Sequence, residues 1–273
     1  MRSARESSRE CHNAAVKTVA ATRYVTPLRE GGSLPAIIEA DDDGMYVLKF
    51  RGAGQGPKAL VAELLVGELA RVAGLPVPTI VLVDLDPDLA RTEPDSEIQS
   101  LIRASAGVNL AVDYLPGSVT FDPVTETPAA DLASAIVWFD AFVTNVDRTA
   151  RNTNLLMWHR QLWLIDHGAA LYFHHDWDDD FIAHSLTAFP MIKDHVLLPF
   201  AAKLEEADRL MAARITRDAI EAVVALLPDV WMAGDAPGDA PRNPQVYSSY
   251  LLSRLESRQV FLEEAMRARS RHV

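Results

Sequence analysis

The sequence predicts an α+β fold of two lobes: a β-rich N-terminal lobe that contains one helix, and a helical C-terminal lobe. Short runs of β-forming residues between glycine turns fill residues 21–114, and one strong helical repeat interrupts them. Helical periodicity dominates residues 115–273. The chain of 273 residues is long enough to bury a sizeable core. We place the two lobes at these ranges and assign residues 1–20 to a tail.

Three strands are predicted at the start of the N-terminal lobe, as a β-meander over residues 23–28, 36–39 and 45–50. Asp41-Asp42-Asp43-Gly44 is typical of a hairpin turn between the second and third strands. Gly31-Gly32-Ser33 lies between the first and second strands, where it is either a loop that covers a phosphate or an ordinary hairpin turn. It is not a Walker loop, because no Gly-Lys-Ser/Thr follows the glycines.

One helix is predicted in this lobe, over residues 58–73, because leucines at positions 60, 64, 65 and 69 share a face and Gly74 ends the pattern. Two further strands are expected at residues 79–84 and 109–114. The acidic, proline-containing stretch 86–97 between them is predicted to be a surface loop. The second of these strands leads into a hinge between the lobes near residues 112–117.

In the C-terminal lobe we predict a helix over residues 131–144, a polar loop over 145–152 and two short strands at 154–158 and 161–166. Further helices are predicted over residues 199–214, 219–227 and 245–271. No internal repeat is visible.

Composition excludes several classes of protein. The formal net charge of −12 disfavours direct nucleic-acid binding, because phosphate backbones reward lysine and arginine. The single cysteine, Cys11, excludes an intramolecular disulfide and a cysteine-cluster metal site. The first dozen residues lack an apolar signal segment, and no stretch of about 20 apolar residues exists to span a bilayer. We expect a cytoplasmic protein without a membrane partner.

Lysine is rare in this chain, so Lys49 inside an apolar strand calls for a reason. An amine on a rigid strand can hold the α- and β-phosphates of ATP when a carboxylate fixes its direction, and Glu63 on the following helix is placed to do so. Glu68 is a rival partner, but it lies about 140° further around the helix. The alternative is a surface lysine whose stem covers apolar residues, opposite a solvated glutamate.

A second group of polar residues follows the first predicted helix of the C-terminal lobe. Asp147 begins a loop, and a carboxylate there can orient an acceptor hydroxyl and take its proton. Asn152 comes five residues later, and its amide oxygen can bind Mg²⁺. Asp166 ends a strand before His167 and Gly168, where it can hold the same metal. Together with Lys49, this ordered set indicates an ATP- and Mg²⁺-dependent phosphotransferase far more strongly than any one motif.

The residues at this point resemble the HipA-like kinases and, more distantly, the phosphatidylinositol kinases. Residues 62–78, ending in Gly74-Leu75-Pro76-Val77-Pro78, are similar to the first family's helix and the turn after it. Asn145-Val146-Asp147 through Asn152 is similar to its catalytic loop. The motif Ile165-Asp166-His167-Gly168 is similar to one in the phosphatidylinositol kinases. The resemblance covers roughly residues 23 to 262.

This resemblance implies a protein-kinase-like fold, Mg-ATP as cofactor and transfer of phosphate to serine or threonine of a protein. It assigns Glu63 rather than Glu68 to Lys49. It also implies that adenine meets backbone groups at the hinge, so Val112 and Tyr114 join Gly31, Gly32 and Ser33 as nucleotide-binding candidates. Ser33 is in addition a candidate for autophosphorylation.

The sequence departs from the family in three ways. HipA toxins carry an additional N-terminal subdomain, for which we expect no room in this chain. Asn145-Val146 replaces the usual kinase histidine before the catalytic aspartate, and Arg151 replaces the family's lysine before the catalytic asparagine. The first departure weakens the toxin role, whereas phosphotransfer remains the expected chemistry.

Other interpretations stay open at the level of sequence. His174-His175-Asp176 and Asp178-Asp179-Asp180 hint at a metal, but we interpret them as a solvated loop. The chain is either a protein kinase, a kinase for a small molecule or lipid, or a pseudokinase that binds nucleotide and acts by docking. The phosphoacceptor, protein or small molecule, is not named by the sequence.

Overall fold

The computed structural model describes residues 16–28, 34–54, 56–175, 180–232 and 243–271. Within these ranges, no helix is both long enough and apolar enough to cross a membrane. The predicted phosphate loop or turn at Gly31-Gly32-Ser33 lies outside the described residues.

Five strands of the N-terminal lobe close into a small barrel in the order β1-β2-β3-β5-β4. All neighbours are antiparallel except β1 and β4, which run parallel. The predicted meander is present as β1-β2-β3, and β5 and β4 close it into the barrel. The predicted tail is corrected, because β1 starts at Thr18 and pairs there with β4. The strands are β1 Thr18–Pro27, β2 Ala36–Ala40, β3 Met45–Lys49, β4 Ile80–Leu85 and β5 Gly107–Asp113.

The acidic stretch predicted as a surface loop is largely helical, which is a second correction. A 3₁₀ helix, Pro87–Thr92, precedes the α-helix α2, Ser96–Ala104. The Asp95 carboxylate caps α2 by accepting from the Glu97 amide. Ile98 and Ile102, one turn apart, are buried against the core of the barrel. Leu101 packs beside them, so the apolar face of this nine-residue helix spans little more than one turn, which is too short for periodicity to distinguish it from a loop.

The other helix of this lobe, α1 (Pro57–Val72), is buried along most of its length. Its apolar residues belong to the same core as those of the C-terminal lobe, whereas the barrel encloses a separate core. Arg214 donates to the carbonyl of Ala73 at 2.6 Å, just after α1. The helix that carries Glu63 is therefore anchored to the C-terminal lobe.

The C-terminal lobe combines a three-stranded sheet, in the order β6-β7-β8, with helices. Helix α3 leads to the predicted catalytic loop, and the hairpin β7-β8 follows it. The elements are β6 Val119–Thr120, α3 Ala130–Phe142, β7 Leu155–Trp158, β8 Gln161–Leu164, α4 Phe181–Ser185, α5 Leu204–Arg214, α6 Arg217–Val224, α7 Asp229–Met232, α8 Gln245–Glu256 and α9 Gln259–Arg269.

The single terminal helix predicted over residues 245–271 is in fact two helices, α8 and α9, separated at Ser257-Arg258. Helix α8 packs on α4 and α6, whereas α9 packs on α3 and α5. One straight helix could not reach both sets of partners, so the break follows from tertiary packing. The helix predicted from residue 199 likewise begins only at Leu204, after a 3₁₀ turn.

Candidate active site

Lys49, at the end of β3, lies between two carboxylates. Its ammonium group forms a buried ion pair with Glu63 of α1 and donates to Asp166 Oδ1 at 2.8 Å. Glu63 is 1% exposed and also accepts from the Gly168 amide at 3.2 Å. One lysine of the barrel therefore joins the helix of its own lobe to the segment that follows β8.

Burial and charge act together on these three groups. Burial alone would lower the pKa of Lys49, but the charges of Glu63 and Asp166 outweigh burial and raise it. The Lys49 charge holds the pKa of Asp166 well below its usual range. Burial raises the pKa of Glu63 to about 7, against the opposing effect of Lys49. Lys49 and Asp166 therefore keep their charges at neutral pH.

Glu68, the rival partner from the sequence, points elsewhere. Its carboxylate lies 3.6 Å from Arg71 Nη1 on the same helix. The structure brings Lys49 to Glu63 instead, as expected from the position of Glu68 further around the helix.

Asp147 lies on the loop after α3, close to two asparagine side chains. Its Oδ2 accepts from Asn152 Nδ2 at 2.7 Å and from Asn154 Nδ2 at 3.3 Å. The Asp147 amide donates to Asn145 Oδ1 at 3.1 Å. Because Asn152 uses its NH₂ group for Asp147, its amide oxygen remains an acceptor that can bind a cation.

The loop of Asp147 and the segment of Asp166 are joined through the backbone. The Ile165 amide donates to the Asn154 carbonyl at 3.1 Å, immediately before Asp166. Thr144, Asn154 and Asp166 all have left-handed backbone conformations, with φ of 53°, 48° and 55°. Such conformations are costly for residues other than glycine and gather at functional sites, where the surrounding structure imposes them.

The hinge candidates lie at the end of β5. Val112 pairs with Val47 of β3 and with Ile80 of β4, so it is held in the middle of the sheet. The Tyr114 amide donates to the Met45 carbonyl at 3.0 Å. Trp158 Nε1 donates to the Pro116 carbonyl at 2.9 Å and fixes the hinge to the β7-β8 hairpin.

The interpretation of the histidine segment as a solvated loop is wrong for His174. Its side chain is fully buried, and burial lowers its pKa well below the usual range. The ring lies 3.2 Å from Tyr247 Oη and 3.1 Å from the ring nitrogen of His175. Asp176 to Asp179 lie outside the described residues, and within those residues no cluster of three or more histidine, cysteine or acidic side chains forms a metal site.

Sequence reasoning did not identify a buried polar network beneath the loop. It consists of Asp140, Arg148 and His195, and Asp140 accepts from the other two at 2.6 Å and 2.9 Å. A signal was present, because Asp140 is an acidic residue within the apolar second half of α3. Its partners are separated in sequence and become visible only in the fold.

The arrangement of the lobes and the site defines the class of protein. The β-rich lobe carries a lysine on a strand that pairs with a glutamate on a helix, and the helical lobe carries an aspartate on a loop. This is a protein-kinase-like fold. The crystal structure of a Helicobacter pylori proinflammatory kinase, CtkA, is similar, with a TM-score of 0.52 and 12% identity over 94% of this chain and 99% of that chain. A Golgi casein kinase with Mn/ADP bound aligns at a TM-score of 0.49 and 11% identity, over 93% of this chain and 74% of that chain.

The model of the HipA-like kinase family matches residues 22–260, well over half of the sequence. The chain therefore belongs to the HipA-like kinase family. The comparison with curated proteins gives no match. Family and fold together support a kinase function, and the predicted recognition and fold class are confirmed.

Proposed function

We propose that this protein transfers the γ-phosphate of Mg-ATP to the hydroxyl group of serine or threonine in a protein. The observation that carries the proposal is the junction of Lys49, Glu63 and Asp166, with Asp147 on the loop whose backbone is bonded to the Asp166 segment. Phosphoryl transfer depends almost entirely on positioning and on electrostatic stabilisation, which these residues supply.

Lys49 would hold the α- and β-phosphates, and Glu63 would orient its ammonium group. The hydrogen bond from the Gly168 amide to the Glu63 carboxylate helps to hold that carboxylate beside the Lys49 ammonium group. Because Lys49 stays charged in this setting, it can meet phosphate oxygens without first taking up a proton.

Asp166 and Asn152 would hold Mg²⁺, and the residues fit this ion. The Asp166 side chain is 48% exposed, and its low pKa keeps it ionised. Mg²⁺ normally takes one or two protein oxygens together with phosphates and water, so a cage of several carboxylates is not required. When bound, the ion neutralises charge on the transferring phosphate.

Asp147 would orient the acceptor hydroxyl and accept its proton. The amide groups of Asn152 and Asn154 fix one carboxylate oxygen, which leaves the other to meet the acceptor. Arg151, exposed beside Asn152, adds a positive charge to the same loop.

Adenine would bind at the hinge beside Val112 and Tyr114. Since the Tyr114 amide already donates to Met45, we assign the hinge donor for adenine to the amide of Leu115, the next residue. Gly31, Gly32 and Ser33 remain candidates for the loop over the phosphates.

The protein acceptor rests on family membership, and the cytoplasmic location stays a prediction from composition. The test incubates the protein with γ-labelled Mg-ATP and cell lysate and identifies what becomes labelled. Labelled protein supports the proposal; a labelled lipid or metabolite would replace the acceptor class; and no label with wild type would leave a nucleotide-binding pseudokinase.

A matched pair of variants tests the role of Asp147. Asp147→Asn is expected to reduce label transfer by roughly 10²–10⁴ while Mg-ATP affinity stays within a few-fold. Asp218→Asn, an exposed aspartate on α6, is the control and should behave as wild type. If Asp147→Asn instead lowers Mg-ATP affinity and melting temperature together with label transfer, Asp147 has a structural role.

A further inference from the structure

Arg148 follows Asp147 in the chain but faces the interior. It is 1% exposed, and its guanidinium reaches two carbonyl groups, those of Asn154 and, at 3.3 Å, Ile165. Both of these carbonyl groups accept from Nη1, and the other terminal nitrogen, Nη2, lies 3.3 Å from His167 Nδ1. Adjacent residues of one loop thus have different surroundings, because Asp147 is half-buried beside Asn152 whereas Arg148 is buried in the core.

Apart from its bond to Asp140, each contact of this guanidinium is with a residue within two positions of a proposed metal ligand. Asn154 is two residues beyond Asn152, whereas Ile165 and His167 flank Asp166 on both sides. The arginine therefore connects the loop that begins at Asp147 to both flanks of the proposed Mg²⁺ aspartate.

Asp140 fixes the orientation of Arg148. It lies on α3, fully buried, and accepts from Arg148 Nε on the same oxygen that accepts from His195 Nε2. Asn145 donates to its other oxygen at 3.1 Å. Burial would raise the pKa of Asp140, but the Arg148 charge and the His195 hydrogen bond outweigh it and hold the pKa well below its usual range.

His195 brings a third segment to the network. Its backbone pairs with Thr149, and the Val196 amide donates to the Arg148 carbonyl at 3.1 Å. The backbone and the side chain of Arg148 are therefore both held, the first by residue 196 and the second by Asp140.

We propose that Arg148 is a positioning residue that sets the separation between Asp147 and Asp166, a role that rests on the proposed function of these two aspartates. A planar guanidinium bonds Asp140, two carbonyl groups and an imidazole at once, which a lysine ammonium at the same place cannot do. A variant that keeps the charge but loses this geometry should fold, yet hold the metal-binding segment in the wrong place.

The experiment compares Arg148→Lys with the control variant Arg258→Lys. In wild type, Arg258 pairs with Asp208 away from the site. Three quantities are measured on each folded protein: melting temperature, the ratio of ATP affinity with Mg²⁺ to that with EDTA, and the rate of ADP formation. A merely structural arginine would change only the first.

In Arg148→Lys we expect ATP to bind no more than about three-fold more tightly with Mg²⁺ than with EDTA. The rate of ADP formation should fall by a factor on the order of 10², while ATP affinity in EDTA should be unchanged. Arg258→Lys should keep the wild-type ratio and rate. Wild-type values in Arg148→Lys would overturn the proposal. If Arg148→Lys does not fold, the double variant Asp140→Asn/Arg148→Gln, which leaves no unpaired buried charge, replaces it.

The proposed function can fail separately. Wild type that forms no ADP and labels nothing, but shows an Mg²⁺-dependent gain in affinity that Arg148→Lys loses, would exclude phosphotransfer and retain the positioning role. If wild type transfers phosphate and Arg148→Lys has the same affinity ratio and rate as wild type, phosphotransfer is retained and the positioning role is excluded.

Discussion

Lys49 Nζ and Asp166 Oδ1 are 2.8 Å apart, although one residue ends a strand of the barrel and the other lies in the C-terminal lobe. This hydrogen bond joins the two lobes, and Glu63 of α1 forms an ion pair with the same ammonium group. Because α1 shares its core with the C-terminal lobe, the ion pair is assembled by the fold itself.

Stabilisation of the protein by Mg-ATP should therefore depend on Asp166. We expect ATP to raise the melting temperature much more with Mg²⁺ than with EDTA, because a ligand that binds only the folded state stabilises it. Asp166→Asn should lose most of that difference. Equal shifts with and without Mg²⁺ would contradict the metal assignment; Asp218→Asn serves as control.

Loss of the lysine charge should strongly reduce catalysis and preserve the fold. We expect Lys49→Met to lower the rate of phosphoryl transfer by a factor on the order of 10² or more. Glu63 can remain buried in this variant, because burial already raises its pKa to about 7 and so favours the neutral form. The rate and the melting temperature are measured together.

Glu63→Gln should resemble Lys49→Met, whereas Glu68→Gln should be close to wild type in rate. Glu68 pairs with Arg71 and lies away from Lys49. A large loss of rate in Glu68→Gln would mean that the helix presents a different face to the lysine.

Arg254 is expected to be essential for stability. It is fully buried and donates to the carbonyl groups of Ala141, Phe142, Ser185 and Thr187, which belong to the end of α3 and to α4 and the residues after it. Arg254→Met would remove the guanidinium donors from these buried acceptors, at a cost of about 3 kcal/mol or more in unfolding free energy. The exposed Arg217→Met should change it by less than about 0.5 kcal/mol. Denaturant unfolding measures both.

His195 should make stability depend on pH. Its Nε2 donates to Asp140 and its Nδ1 accepts from the Leu197 amide, an arrangement that only the neutral ring satisfies. Burial lowers its pKa below 6.5, against the effect of Asp140, and Arg148 lowers it further. Below pH 6.5 the unfolded chain therefore binds a proton that the folded protein excludes, so stability falls as pH falls toward the folded-state pKa, by at most about 1.4 kcal/mol per pH unit.

The variant His195→Gln isolates this effect, because glutamine can donate to Asp140 and does not titrate. Its unfolding free energy should decline less between pH 6.5 and 5 than that of wild type. Glu63, whose pKa is raised, acts in the opposite direction in both proteins and cancels in the comparison. Parallel curves for the two proteins would contradict the assignment.

Much of the site was predictable because its residues carry local signals. A lysine within an apolar strand, an aspartate with an asparagine five residues later, and an aspartate between a strand and a glycine are unusual in their immediate surroundings. Periodicity likewise predicted α1, α3 and the β7-β8 hairpin, whose core faces are long enough to read. It failed for α2, whose apolar face of Ile98, Leu101 and Ile102 spans little more than one turn, and at the break between α8 and α9.

The sequence by itself determined the two-lobe order and the residues that carry the candidate chemistry, since both are written as local patterns of hydrophobicity and residue type. The tertiary structure decided the closure of the barrel by β1 and β4, the pairing of Lys49 with Asp166, and the network of Asp140, Arg148 and His195. Most of these contacts join residues far apart in the chain, and a buried polar group finds its partner through packing, which no local pattern encodes.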